Sequence, residues 1–480
     1  MSDNETTGLK PTLGWFSAMA VVTGSMIGSG IFVVTPDIAR HVGTGGLVIL
    51  VWVLAGILTV LGASSYAKLA VHMPRAGGQY VFLKEAFGEL PAFLFGWCLL
   101  TVIQTGFLAA VAVAFAKYAG VLWPAISEAD MGLGLSTQKL LAVAVLIGLT
   151  AYNGTGIRNG ALLQNIFTAM KIIALLGVIG LGFAMGHRLW EPGAVDWSFS
   201  LPAHDAMAGD WLTLVVFASV GALFSADAWN YVTFIGGEIK NPRRNLPIAL
   251  IGGTVLVVTL YAVANLAYLN VLSLPAIQNA PQDRVATAMI DALLPGLGVM
   301  VMAVVILIST FGCLNGLLLA GARVFYAMAH DGLLFRAFGA LHPRYHSPNF
   351  AMWAQCAWAI VLAFSGTYGT LLSYIVFATL MFYIVTMAGL LKLGAAMPEE
   401  MSMTRRRDRL LPMVYMLGAT VIAVYLLLGD VFVHGWGALN PAQAQFTSSK
   451  FFTSMAGLVL TALGWPVYLA WKRWGKAHAL

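Results

Sequence analysis

The chain has 480 residues, of which 59% are hydrophobic and only 10% charged, against roughly 25% charged in an ordinary soluble protein. With a mean hydropathy of +0.83 there is too little charge to cover a soluble surface, so a soluble enzyme is excluded. Disorder, which needs polar and charged sequence, is excluded with it, and three cysteines, Cys98, Cys313 and Cys356, cannot build a disulfide scaffold.

An integral membrane protein remains. A membrane helix needs about 20 largely apolar residues, and twelve segments qualify, at approximately 13–39, 44–67, 91–118, 138–157, 160–186, 211–237, 246–272, 292–322, 350–367, 369–391, 410–429 and 451–471. Barrel strands would be about half as long and would alternate in polarity. The fold class read from this is an all-α membrane protein with twelve spans and no separate soluble domain. The first span shows no cleavage site and is read as retained.

The net charge of +6 is read as a topology signal, so no nucleic-acid partner is needed. With the amino terminus in the cytoplasm, 19 of the 26 Lys and Arg residues fall on cytoplasmic segments. Six fall outside, namely Arg40, Lys117, Lys139, Arg188, Arg284 and Lys450, and Lys171 lies within a span. That bias predicts both termini in the cytoplasm of a multi-pass plasma-membrane protein, in a bacterium the inner membrane.

The first span has an unusual centre, Gly24-Ser25-Met26-Ile27-Gly28-Ser29-Gly30. Each glycine costs a helix about 1 kcal/mol relative to alanine. One reading is a packing face, because Gly24 and Gly28 form a GxxxG pair. The other is an unwound stretch, which a membrane tolerates only where it lines a cavity or is buried in protein. The half-helix starting near Gly30 would then point free N–H groups and the positive end of its dipole at a carboxylate.

The fifth span carries Lys171 about ten residues from either end, roughly 15 Å at 1.5 Å per residue, too far to snorkel. An intramembrane charge of this kind is costly and marks a functional site. The sixth span holds a second candidate break, Ser219-Val220-Gly221-Ala222-Leu223-Phe224-Ser225-Ala226-Asp227-Ala228-Trp229-Asn230, and in it a second charge, Asp227. Asp227 reads equally as a helix cap and as a ligand contact, and it could pair with Lys171. The first and sixth spans correspond if residues 13–186 and 211–391 are two five-helix repeats of opposite orientation, with 410–471 as accessory helices. Two discontinuous helices around a central site are a recurring transporter plan.

Lys171 could occupy a cation site, donating to loose carbonyls from Gly24 to Ile27 and to a hydroxyl in the eighth span, where Ser309-Thr310 is the polar pair. A fixed strut and a proton carrier both remain open.

These motifs resemble the amino acid–polyamine–organocation superfamily. The run GSMIGSGIF is similar to its first-helix signature. Tyr66-Ala67-Lys68-Leu69 followed by MPRAGGQYVFLKEAFG resembles its join between the second and third spans. FSADAWNYVTFIGGEIKNPRRNLPIAL, ISTFGCLNG and GARVFYAMAHDG resemble the L-type amino acid transporter branch. The resemblance covers nearly the whole chain. It implies a leucine-transporter fold, amino acid transport by alternating access, and no cofactor or metal.

It implies further that a substrate carboxylate meets backbone amides around Gly28, Ser29 and Gly30. The α-ammonium would meet carbonyls near Ile27 and from Phe224 through Ser225 to Ala226. Phe224 matches an aromatic gate, and Lys171 matches a lysine that replaces one sodium ion, implying sodium-independent exchange or proton-linked transport. Gln104, Thr105, Asn315 and Thr379 are expected to line a side-chain pocket from the third, eighth and tenth spans; interhelical hydrogen bonding is the alternative for each.

Two departures stand out. Ala228 occupies a position where bacterial members often have glycine, which should narrow the pocket or stiffen the break. No cysteine lies in 119–137, where animal members bond a single-span heavy-chain partner, so no disulfide-linked partner is expected. An intramembrane enzyme finds no HExxH motif and no mid-membrane histidine; His342 and His346 belong to a loop. A channel finds no ring of like polar groups. A non-transporting nutrient sensor on the same fold is a further alternative. A neutral L-amino acid is the leading substrate, and the other is a cationic amino acid or polyamine countered by Asp227.

Overall fold

Backbone polar groups in hydrocarbon must be satisfied within the segment itself, which makes helices the solution for a chain this apolar. The computed structural model describes residues 8–132, 134–200, 211–365, 368–394, 406–434 and 450–474. Its regular structure there is helical, apart from one isolated parallel bridge between Leu13 and Ile239.

Among the described residues, eight helices are long and apolar enough to cross a membrane: Trp15–Val33, Gly45–His72, Glu89–Leu122, Ile157–Met185, Pro242–Val271, Gly298–His330, Ile375–Leu393 and Arg409–Leu428. Leu214–Ser225 and Asn349–Phe364 are shorter apolar helices. Thr137–Gly154 and Lys450–Trp474 occupy the fourth and twelfth expected segments.

Several bounds differ from the reading above for identifiable reasons. The eighth span starts at Gly298 because a separate short helix, Val285–Leu293, ends before a turn in which Gly296 takes φ +80°. It runs on to His330, carrying Arg323 inside it. The third span is interrupted by a π-helical turn at Leu99–Ile103. A second π-turn, Ile248–Gly252, follows Pro247 in the seventh span.

The fifth span, Ile157–Met185, shows how the layers are ordered. Gln164, Thr168, Lys171 and Leu175 recur at helical spacing and are buried, while Leu162, Ile166, Ile173 and Leu176 on the opposite side are exposed. The apolar face is thus turned outward and the polar stripe inward, the order a lipid solvent requires. That stripe packs against the first and eighth spans.

Both interruptions are present in the backbone. The helix Trp15–Met26 stops, Ile27 is extended (φ −75°, ψ 96°), and winding resumes at Gly30–Val33 and Thr35–Val42. The sixth span winds as Trp211–Ser225, unwinds through 226–230, and resumes at Tyr231–Phe234 and Gly236–Glu238. Ala228 sits in the left-handed region at φ +69°, a conformation that costs a side-chain-bearing residue roughly 1 kcal/mol or more.

Candidate substrate site at two interrupted helices

In the first span the backbone ladder ends with Ile27 N–H donating to Thr23 O, and it restarts with Phe32 N–H to Ser29 O and Val34 N–H to Gly30 O. The amides between them are at the start of a half-helix, where N–H groups have no intrahelical acceptor. On the other side of the break are the loose carbonyls of a helix C-terminus, the negative end of its dipole.

The Lys171 ammonium caps that end with all three of its hydrogens. It donates to Gly24 O (2.7 Å), Ile27 O (2.7 Å) and Ser309 O (2.9 Å). The acceptor on the eighth span is therefore the carbonyl of Ser309 and not a hydroxyl. The Ser309 hydroxyl instead faces Gly28 O (2.9 Å) and Ile27 O (3.1 Å), and Thr310 donates within its own helix to Ile306 O (2.7 Å). Gln164 and Thr168, two turns and one turn earlier, both donate to Ala20 O. Gly24 has no side chain because a Cβ there would strike Gln164 Nε2 and Thr168 Oγ1.

The two breaks touch. A Cβ on Gly30 would strike Ser225 Oγ and lie 2.8 Å from Ser225 Cβ, so only glycine lets the half-helix approach the sixth span this closely. The Tyr261 hydroxyl, from the seventh span, shares its proton between Met26 O (3.0 Å) and Ser225 O (3.2 Å), the last helical residues before each break. Tyr268 donates to Ile31 O (3.3 Å), and Cys313 lies 3.1 Å from Ser25 O through its thiol. Replacing Tyr261 by phenylalanine should lower apparent substrate affinity about tenfold, read as KM in uptake assays, because two buried carbonyls lose a donor.

Lys171 and Asp227 do not pair. Asp227 Oδ1 accepts from the Tyr383 hydroxyl at 2.6 Å. Tyr383 also lies 3.2 Å from Asn230 Oδ1, while Asn230 donates to Gln79 (2.9 Å) and Gln79 to Thr386 (3.1 Å). Two small cavities flank Asp227. One of about 30 Å³ is bounded by Phe224, Trp229, Thr379, Tyr383 and Tyr415, and another of about 10 Å³ by Asn230, Tyr231, Thr379 and Tyr383. Phe224 stacks on Phe107, with centroids 5.2 Å apart and planes 13° from parallel.

The remaining expected pocket residues divide. Thr379 lines both cavities. Gln104 donates across helices to Leu317 O (2.7 Å), and Thr105 to Leu100 O within the π-turn (2.7 Å). Asn315 donates to Gln164 Oε1 (2.7 Å) and Gly160 O (3.0 Å). Gln104 and Asn315 tie scaffold helices together, Thr105 bonds within its own span, and the cavities draw on the second, third, sixth, tenth and eleventh spans. Tyr261, Gln164 and Tyr383 were not singled out from the sequence: a tyrosine or glutamine in an apolar helix carries no local signal of what it will meet.

Beyond the sixth break, Glu238 forms a buried ion pair with Arg323. Arg323 Nε lies 2.9 Å from Glu238 Oε2, with side chains 1% and 2% exposed, and it also donates to Leu319 O. The Glu238 carbonyl accepts from Thr12 N–H (2.8 Å) and Leu13 N–H (3.0 Å), and Lys240 N–H returns to Leu13 O. One residue thus joins the amino-terminal segment, the sixth span and the eighth.

Two interrupted helices that meet at their breaks, one with its carbonyl end held by a buried lysine, are the plan of a secondary transporter of the discontinuous-helix class. Residues 13–461 match the family model described as Amino acid permease, and the chain belongs to that family of amino acid transporters. It is similar to the human Large neutral amino acids transporter small subunit 2, 32% identical over 438 residues that cover 89% of this chain and 78% of the relative. It is 31% identical over 444 residues to the mouse Asc-type amino acid transporter 1, covering 91% and 80%. The mouse b(0,+)-type amino acid transporter 1 is 28% identical over 438 residues, covering 89% and 84%.

Proposed function

We propose that the chain moves neutral L-amino acids by alternating access and without sodium. The carboxylate binds the amides of Gly28–Gly30 and the α-ammonium the carbonyls around Ile27 and 224–226. The observation that supports this is the meeting of the two breaks at Gly30 and Ser225, where amides that begin one half-helix come beside the carbonyl end of another helix; there Ser225 O accepts from Tyr261 and Phe224 O from Asp227 N–H, and a carbonyl has a second lone pair. A zwitterion carries both complements. Lys171 holds the position that a coupling cation would fill, as a strut: its three hydrogens are all committed.

The same reading takes 13–186 and 211–391 as inverted repeats and places both termini in the cytoplasm of a plasma membrane. It also holds that no disulfide-linked partner is required; the thiols of Cys98, Cys313 and Cys356 are all buried, which supports this.

Proteoliposomes containing the purified protein should accumulate labelled neutral amino acids equally well in sodium and in choline buffer. Preloading with unlabelled substrate should accelerate uptake if the mode is exchange, and an imposed pH gradient should do so if it is proton-linked. Strict sodium dependence, or binding without flux, contradicts the proposal. The cationic alternative rests on Asp227, whose carboxylate has no cationic partner within 4 Å among the described residues. Under it, Asp227→Asn abolishes uptake of cationic amino acids.

A further inference from the structure

The two cavities beside Asp227 share an unusual wall. The Thr379 hydroxyl borders both, its residue is 8% exposed, and its oxygen has no hydrogen-bond partner. The Tyr231 hydroxyl, on the wall of the smaller cavity, is likewise buried and unpartnered. The Asp227 carboxylate is engaged by Tyr383 through Oδ1. A buried polar atom without a partner is costly, and polar groups gathered around a cavity await a ligand that completes them. The larger cavity is bounded by Phe224, in the last turn before the sixth-span break, and by Asp227, within the break, so it adjoins the backbone assigned to the α-ammonium.

The geometry points to a side-chain subsite at Thr379 and Asp227 that selects short amino acid side chains carrying a hydrogen-bond donor, such as a hydroxyl or a primary amide. Size sets the upper limit. The cavities measure about 30 and 10 Å³, and on this measure one water needs roughly 10–15 Å³, so a short side chain fits and a long or aromatic one does not. Polarity sets the preference. A site built around buried hydrogen-bonding groups rejects an isostere that lacks the complement, because its own groups are then left bare. The inference rests on the two breaks being the amino acid site.

Isosteric pairs test it. In proteoliposomes, kcat/KM for threonine should exceed that for valine, and asparagine should exceed leucine, by roughly tenfold or more. Thr379→Val should bring threonine and valine close to parity, and Thr379→Ser should keep the preference. A purely structural role for Thr379 would lower both members of a pair together and leave their ratio unchanged. Valine equal to threonine in the wild type, an unchanged ratio in Thr379→Val, or lysine preferred over threonine would each overturn the inference. Should the liposomes show no flux, the transport reading fails; the same pairs compared for thermal stabilisation of the purified protein still read the selectivity.

Discussion

Replacing Lys171 by methionine should abolish amino acid uptake and destabilise the purified protein by roughly 3 kcal/mol or more. Methionine keeps an apolar stem but donates nothing. The carbonyls of Gly24, Ile27 and Ser309 each lose a charge-assisted hydrogen bond at 2.7–2.9 Å. A buried acceptor left bare costs about 1–3 kcal/mol, and three lie together here. The loss falls at the C-terminal end of the helix Trp15–Met26, so the free amides one residue further on lose their aim, and small misplacements of a binding constellation are expensive. Arginine should not rescue. A Cβ on Gly312 would lie 3.0 Å from Lys171 Cε, which shows how closely the eighth span covers the ammonium and leaves no room for a guanidinium. Thermal unfolding in detergent and uptake by reconstituted, monodisperse variant check both parts. Near-normal uptake in Lys171→Met would show that the strut is dispensable.

Arg323→Met is expected to cost about 3–5 kcal/mol, because it strands the Glu238 carboxylate in a buried position. Glu238→Gln alone should cost a similar amount by leaving the guanidinium unpaired. The double variant should recover most of the loss, since removing both charges also removes their desolvation penalty. The coupling energy in this double-mutant cycle is therefore expected to be large, of the order of 2–3 kcal/mol. Additive single effects would mean that the two residues act independently in solution. Glu238 also receives Thr12 and Leu13 through its carbonyl, so its side chain fixes the seat of the amino-terminal segment. Protease sensitivity of that segment should rise in each single variant.

The parts of the molecule legible in the sequence were those with a local energetic signature. Three glycines in seven residues marked the first break because glycine is expensive in a helix. Lys171 stood out because an ammonium at mid-membrane demands an explanation. The sixth break lacked such a mark. Its left-handed residue is Ala228 and not glycine, and only its position opposite the first span pointed to it. Tyr261 reaches Met26 across 235 positions of sequence, and nothing in its neighbourhood announces that contact.

Gln104 and Asn315 show the converse. Polar residues in apolar helices read alike whether they face a substrate or a neighbouring helix, and these two took the neighbouring helix. Arg323 follows the expected end of the eighth span at 322, yet it lies inside the helix Gly298–His330. The helix continues because Glu238, 85 positions away, neutralises that arginine.

An experimental structure with a transported amino acid bound would show the two breaks at work. Its carboxylate should lie about 3 Å from the amide nitrogens of Ser29 and Gly30, its ammonium against the carbonyls of residues 224–226, and Lys171 should remain on Gly24, Ile27 and Ser309. Density for the substrate elsewhere, with the first and sixth spans wound continuously through 27–29 and 226–230, would contradict that reading.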